Sequence, residues 1–101
     1  MAGAELRAAI KRRNVVEFRY RGTPRIAHPH AIFVATTGTH CLDAVQIAGG
    51  SSSGPLPGWR RFDMNAIDGV TIREDRFEVA ADFDERAKDY RRGILVASVD
   101  Q

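Results

Sequence analysis

The chain has 101 residues, 44% hydrophobic and 28% charged, a balance that excludes a disordered chain and fits one domain around one core. It has no eighteen-residue apolar run and a single cysteine, Cys41, which excludes a membrane-crossing helix and an internal disulfide. The net charge of +2 hides a split: residues 1–61 hold nine bases and three acids, whereas residues 62–101 hold six bases and ten acids.

Residues 3–12 are expected to form a short helix, because Leu6, Ala9 and Ile10 fall at i, i+3 and i+4 with Arg7, Lys11 and Arg12 around them. Asn14 is the expected stop, since asparagine tolerates the left-handed conformation. "VVEFRY" (15–20) alternates with period two, setting Val16, Phe18 and Tyr20 on one face and Glu17 and Arg19 on the other. Arg21-Gly22-Thr23-Pro24 supplies a turn. A second strand is predicted over 25–36 and a third over 40–47, joined at Thr37-Gly38-Thr39.

Residues 48–58 are nine parts in eleven Gly, Ser or Pro, which predicts a loop outside the core. Trp59 to Phe62 resumes a strand, and "AIDGVTI" (66–72) gives a fifth, bent at Gly69. Beyond Arg73 the apolar residues Phe77, Val79, Phe83 and Tyr90 stand alone among acids. A short helix is expected around 84–92, ended by Gly93, followed by a β-prone tail, "ILVASV". The prediction is a mainly β domain over residues 1–92, a small five-stranded barrel with an N-terminal and a short C-terminal helix, plus a tail over 93–101. A barrel is expected because five short strands otherwise leave exposed edges.

No catalytic constellation assembles, so the chain reads as a non-enzyme without cofactor. His28, His30, His40 and Cys41 could supply zinc ligands, but the spacing is far from a ligand signature and an ordinary histidine hydrogen bond is the favoured reading. His40 and Cys41 are adjacent on a strand and face opposite sides, so they cannot act as base and nucleophile. The Gly/Ser run lacks the Lys-Ser/Thr ending of a phosphate loop.

The arginines, 13 of the 15 bases, carry more. Arg19, Arg21, Arg25, Arg60 and Arg61 fall at strand ends and could converge on one rim, where the planar guanidinium suits phosphate and Tyr20 and Trp59 could stack on bases. The competing reading makes Tyr20 and Trp59 packing residues and pairs the arginines with Glu17, Asp43 and Asp63.

Taken in order, several segments resemble the WYL-like domain: the leading helix, the strand ending Phe18-Arg19-Tyr20, Arg25, Pro29-His30, His40-Cys41-Leu42 at the naming triplet, and "QIAGGSSSGPLPGWRRF" with Ile67 after it. The resemblance spans roughly residues 4–90 and implies an Sm/SH3-like barrel. It also implies a ligand-sensing role in bacterial regulation or phage defence, with a nucleotide-like ligand or single-stranded nucleic acid as partner and homodimers common. It places Tyr20, Arg25, His30 and Arg60 toward the ligand and Leu42 in the core; Arg19 and Trp59 join that set from the charge and stacking argument. The sequence departs from the pattern at His40 and Cys41, and at Asp63 and Ala66, where regulator-type members carry arginine. No helix-turn-helix is present. The expectation is a cytoplasmic module that senses a small or weakly held ligand. The alternative is a protein-interaction or oligomerisation module in which the tail adds a strand to another protomer.

Overall fold

The computed structural model describes residues 3–50 and 54–99. It is mainly β. A helix α1 (Gly3–Arg12) precedes β1 (Asn14–Tyr20), β2 (Thr23–Val34), β3 (His40–Gly49), β4 (Gly58–Asp63), β5 (Ile67–Arg76) and β6 (Ile94–Ala97). Every ladder is antiparallel. The strands run β4-β3-β2-β1-β5 in one sheet, with β6 on β2. The middle of the Gly/Ser/Pro loop, residues 51–53, lies outside the described residues, as do the last two residues of the predicted tail.

The helix buries Leu6, Ala9 and Ile10, the three residues of its apolar stripe. It ends at Arg12 as expected, but the left-handed stop falls on Arg13 and not on Asn14. Arg13 takes the left-handed φ of 58°, while Asn14 starts β1 and its side-chain amide donates to the Arg73 carbonyl at 3.1 Å. The β1–β2 turn is also tighter than expected. Arg21 and Gly22 both have positive φ, 51° and 82°, so Tyr20 already pairs with Thr23, the geometry of a two-residue hairpin whose twist matches its strands.

Two irregularities sort the side chains. Along β2 against β3, Pro29 pairs with Ala44 but Ala31 pairs with Asp43, so His30 is an extra residue. That bulge accommodates a proline in a central strand. The second lies on β5, where Arg19 pairs with Asp68 and Glu17 with Thr71. Gly69 sits in that irregularity at φ 63°, and a Cβ there would crowd the Arg19 guanidinium. The bend expected at Gly69 is present.

One face of the sheet carries the main core: Val16, Phe18, Ala27, Ile32, Leu42, Ala44 and Phe62 pack with the helix stripe and with Val96. Phe18 and Tyr20 both meet the Phe62 ring edge-on, at 5.1 and 4.8 Å. The opposite face of β2, β3 and β4 is covered by residues 77–93. The helix expected at 84–92 does not form. Successive i to i+3 bonds, Phe83 N–H to Ala80, Ala87 N–H to Asp84 and Tyr90 N–H to Ala87, give turns with one 3-10 turn at Lys88–Tyr90. Nor is "ILVASV" a free tail: Ala31 pairs with Ala97 and Ile32 with Val96.

The sheet has six strands, not five. Asp63 caps a 3-10 turn, Met64–Ala66, through its carboxylate and the Asn65 N–H. That turn carries the chain from β4 straight to β5, and Arg21 N–H donates to Ala66 at 3.1 Å. The sheet therefore curls, but among the described residues no ladder joins β4 to β5, and it stays open.

Candidate functional site

Tyr20 ends β1 on the core face, with its ring edge on Phe62, and its hydroxyl accepts the Asp63 backbone N–H at 3.0 Å. Two guanidiniums flank the ring, Arg21 at 5.2 Å and Arg25 at 5.4 Å from the centroid. Arg25 is partly buried and donates Nη1 to the Gln46 side-chain oxygen at 3.3 Å. Gln46, fully buried, is fixed in turn by donating Nε2 to the carbonyls of Ala48 and Gly50 at 3.1 and 3.0 Å. Gly49 is required there: its φ is 100° and a Cβ would run into the Pro24 carbonyl and the Arg25 backbone. Arg25 Nε is buried with no acceptor among the described residues.

Three other arginines are ion-paired. Arg19 pairs with Asp68 at 3.3 Å, Arg73 with Glu17 at 3.0 Å, and Arg61 with Asp43 and Asp89 at 2.8 and 3.3 Å. Arg61 and Asp43 meet through two parallel bonds, 2.8 and 2.9 Å, the strong fork geometry of this pair. Tyr90 donates to the same carboxylate at 2.7 Å, and Arg61 lies 4.7 Å from the Phe33 centroid. Hydrogen bonding to Asp43 raises the Arg61 pKa further, while burial first, and then Asp43, raise the Tyr90 phenol well above its usual range. Both hold their ordinary protonation at neutral pH.

The structure thus divides the six candidate residues. Tyr20 and Arg25 meet at one corner. Arg19 stands in its own surface pair. His30, Trp59 and Arg60 lie elsewhere: Arg60 donates to the carbonyls of Trp59, Gly54 and Pro55, bracing the β3–β4 loop. Trp59 donates its indole N–H to Asp82 at 3.0 Å. His30 is fully buried between Trp59, Phe77 and Phe83, with ring centroids 4.9 to 5.4 Å away. Its Nε2 accepts the Ala80 N–H at 3.0 Å, so its Nδ1 must carry the proton donated to the His28 carbonyl at 2.8 Å. Burial lowers its pKa. Placed toward ligand by the resemblance, His30 instead has both nitrogens engaged inside the protein.

Sequence reasoning anticipated an arginine on Asp43 as the competing reading, but missed the role of Gln46 and the part of Tyr90 in that network. The signal for Asp43 was present: a single acid inside the apolar strand "CLDAVQI" needs a buried cation. Cys41 is buried and burial raises its thiol pKa. Among the described residues, no three His, Cys, Asp or Glu side chains gather as a metal site. Comparison with family models, with curated proteins and with solved structures gives no match.

Proposed function

We propose that the chain is a non-catalytic ligand-binding module of the WYL-like kind, its curled sheet a variant of the Sm/SH3-like barrel. It takes an anionic, nucleotide-like ligand at the Tyr20–Arg21–Arg25 corner. The observation that carries this reading is the pair of guanidiniums that flank the Tyr20 ring. Arg21 and Arg25 form no ion pair among the described residues, whereas Arg19, Arg61 and Arg73 all do. A guanidinium held by a neutral amide keeps its full charge for an incoming phosphate, and its orientation is already fixed. The half-buried Tyr20 ring supplies a stacking surface for a base.

Asp63 bounds the size of the ligand. Its backbone is bonded to Tyr20 and its carboxylate caps the adjoining turn, so the corner has a negative neighbour where a long polyanion would continue. A nucleotide or a short single strand fits better than a long nucleic acid. The test is fluorescence anisotropy with labelled nucleoside phosphates and short single strands at two salt concentrations. Saturable binding at low salt, weakened about tenfold by Arg25→Gln, is expected for the loss of one charge-assisted contact. No binding by folded protein at low salt overturns the reading.

A further inference from the structure

The acidic second half of the chain has a destination that the Tyr20 corner does not use. On the opposite face of the sheet, residues 77–93 and β4 enclose an open cleft of about 320 Å³. Its walls are aromatic. Trp59 and Phe83 lie nearly parallel, with centroids 6.1 Å apart and planes 28° from each other, and Phe83 is 6.2 Å from Tyr90. All three rings are only half-buried, so they present surface to the cleft.

Four carboxylates line this cleft, against two guanidiniums. Arg61 is already committed to Asp43 and Asp89, and Arg60 reaches back to the loop carbonyls. Asp82 offers one oxygen to the Trp59 indole, and Asp84 offers one to the Arg86 N–H. Each of these two exposed carboxylates forms no ion pair among the described residues. The cleft therefore joins π-faces to excess negative charge, and both features favour a cation.

We infer that this cleft is a binding site for a small organic cation with a guanidinium or alkylammonium head. Anions are repelled by the net charge of the lining. The volume is at the small end of ligand pockets, which run from roughly 300 to 1,000 Å³, so the occupant is a compact molecule and not a macromolecular surface. The cation head sits against the Phe83 and Trp59 faces, and Asp82 and Asp84 hold its N–H groups from the rim. This inference is independent of the nucleotide reading, because the two sites lie on opposite faces and have opposite charge.

The experiment is an NMR titration of the whole protein with agmatine at low salt, following the Trp59 indole N–H and the amides of residues 82–90. Saturable shifts confined to these signals are expected, with tetramethylammonium chloride giving the same pattern more weakly. Asp84→Asn, at an exposed position, should weaken agmatine about fivefold, and Phe83→Ala about tenfold, from the sizes of screened ion pairs and cation–π contacts. Arg25→Gln should leave the titration unchanged. Should Phe83→Ala fail to fold, Asp84→Asn carries the test alone. Absence of saturable shifts, equal affinity in Asp84→Asn, or shifts produced instead by adenosine monophosphate overturns the inference.

Discussion

Asp43 and Arg61 are unequal partners. The Asp43 side chain is 9% exposed and that of Arg61 is 45% exposed. Removing the arginine strands a buried carboxylate with only the Tyr90 hydroxyl. Removing the carboxylate's charge lets Arg61 turn to solvent. Arg61→Ala is therefore expected to cost about 2–3 kcal/mol, and Asp43→Asn less, since breaking a pair from the exposed side leaves the buried charge uncompensated. Urea denaturation of both variants measures the order; a larger loss for Asp43→Asn contradicts it. His30 gives a second prediction. Its folded pKa lies below the ordinary value because burial disfavours the cation, and the unfolded chain binds the proton first. Stability is then level above pH ~6.5 and falls as the pH drops below it. Nitrogen NMR should find the Nδ1-protonated tautomer at neutral pH, and titration of His30 above the free value would refute the assignment. An ordinary histidine hydrogen bond and an arginine partner for Asp43 were legible in the sequence, but not their geometry. His28 and His30 both contact Phe77, and His30 Nε2 is held by the Ala80 N–H, fifty positions away.

Elements with periodic patterns were legible, and those built by distant partners were not. The first helix and the first strands follow from the spacing of Leu6, Ala9 and Ile10 and from the alternation of Val16, Phe18 and Tyr20. Gly69 announced its irregularity. The segment 84–92 has the composition of a helix but folds as turns with one 3-10 turn. Three linked turns bring Tyr90 within reach of Asp43, 47 positions earlier in the chain. "ILVASV" was recognised as β-prone, but its partner could not be read locally. Because β6 pairs with β2 and Ser98 N–H donates to His30 at 2.9 Å, removing residues 93–101 uncovers Ile32 and strips a ladder from the central strand. Circular dichroism of that truncation should show loss of cooperative folding, a consequence of losing strand pairing and core burial together. A folded, strand-rich truncation would show that β6 is dispensable.

Across the whole molecule, the +2 net charge resolves into faces. The early arginines do not form one continuous patch: Arg21 and Arg25 flank Tyr20, Arg19 pairs with Asp68, and Arg61 is bound to acids. Of the acids of residues 62–101, Asp63 caps the β4–β5 connection, Asp68 and Asp75 pair with Arg19 and Arg73, and Asp82, Asp84 and Asp89 line the aromatic cleft. With at most two unpaired guanidiniums at the Tyr20 corner, the affinity for a single strand should fall with salt at a logarithmic slope of about −1.4, the value for two phosphate contacts. A slope several times steeper means a longer basic track than the one at this corner. The sequence carried the charge totals and the competing possibility of local ion pairs. Only the fold decides which arginine finds an acid, because the partners of Arg19, Arg61 and Arg73 are brought to them by ladders or turns.

The long second strand is shared among three ladders, and one of them joins Ala31 to Ala97. During synthesis strands β1 to β5 are made before β6, the second strand to pair with Ile32 after β3. For that interval the centre of the sheet keeps an unpaired edge and its aromatic face has no cover. The emerging chain must therefore pass through a sticky stage that ends only when Ala97 clears the exit tunnel, since contacts of long sequence separation form last and leave edges exposed meanwhile.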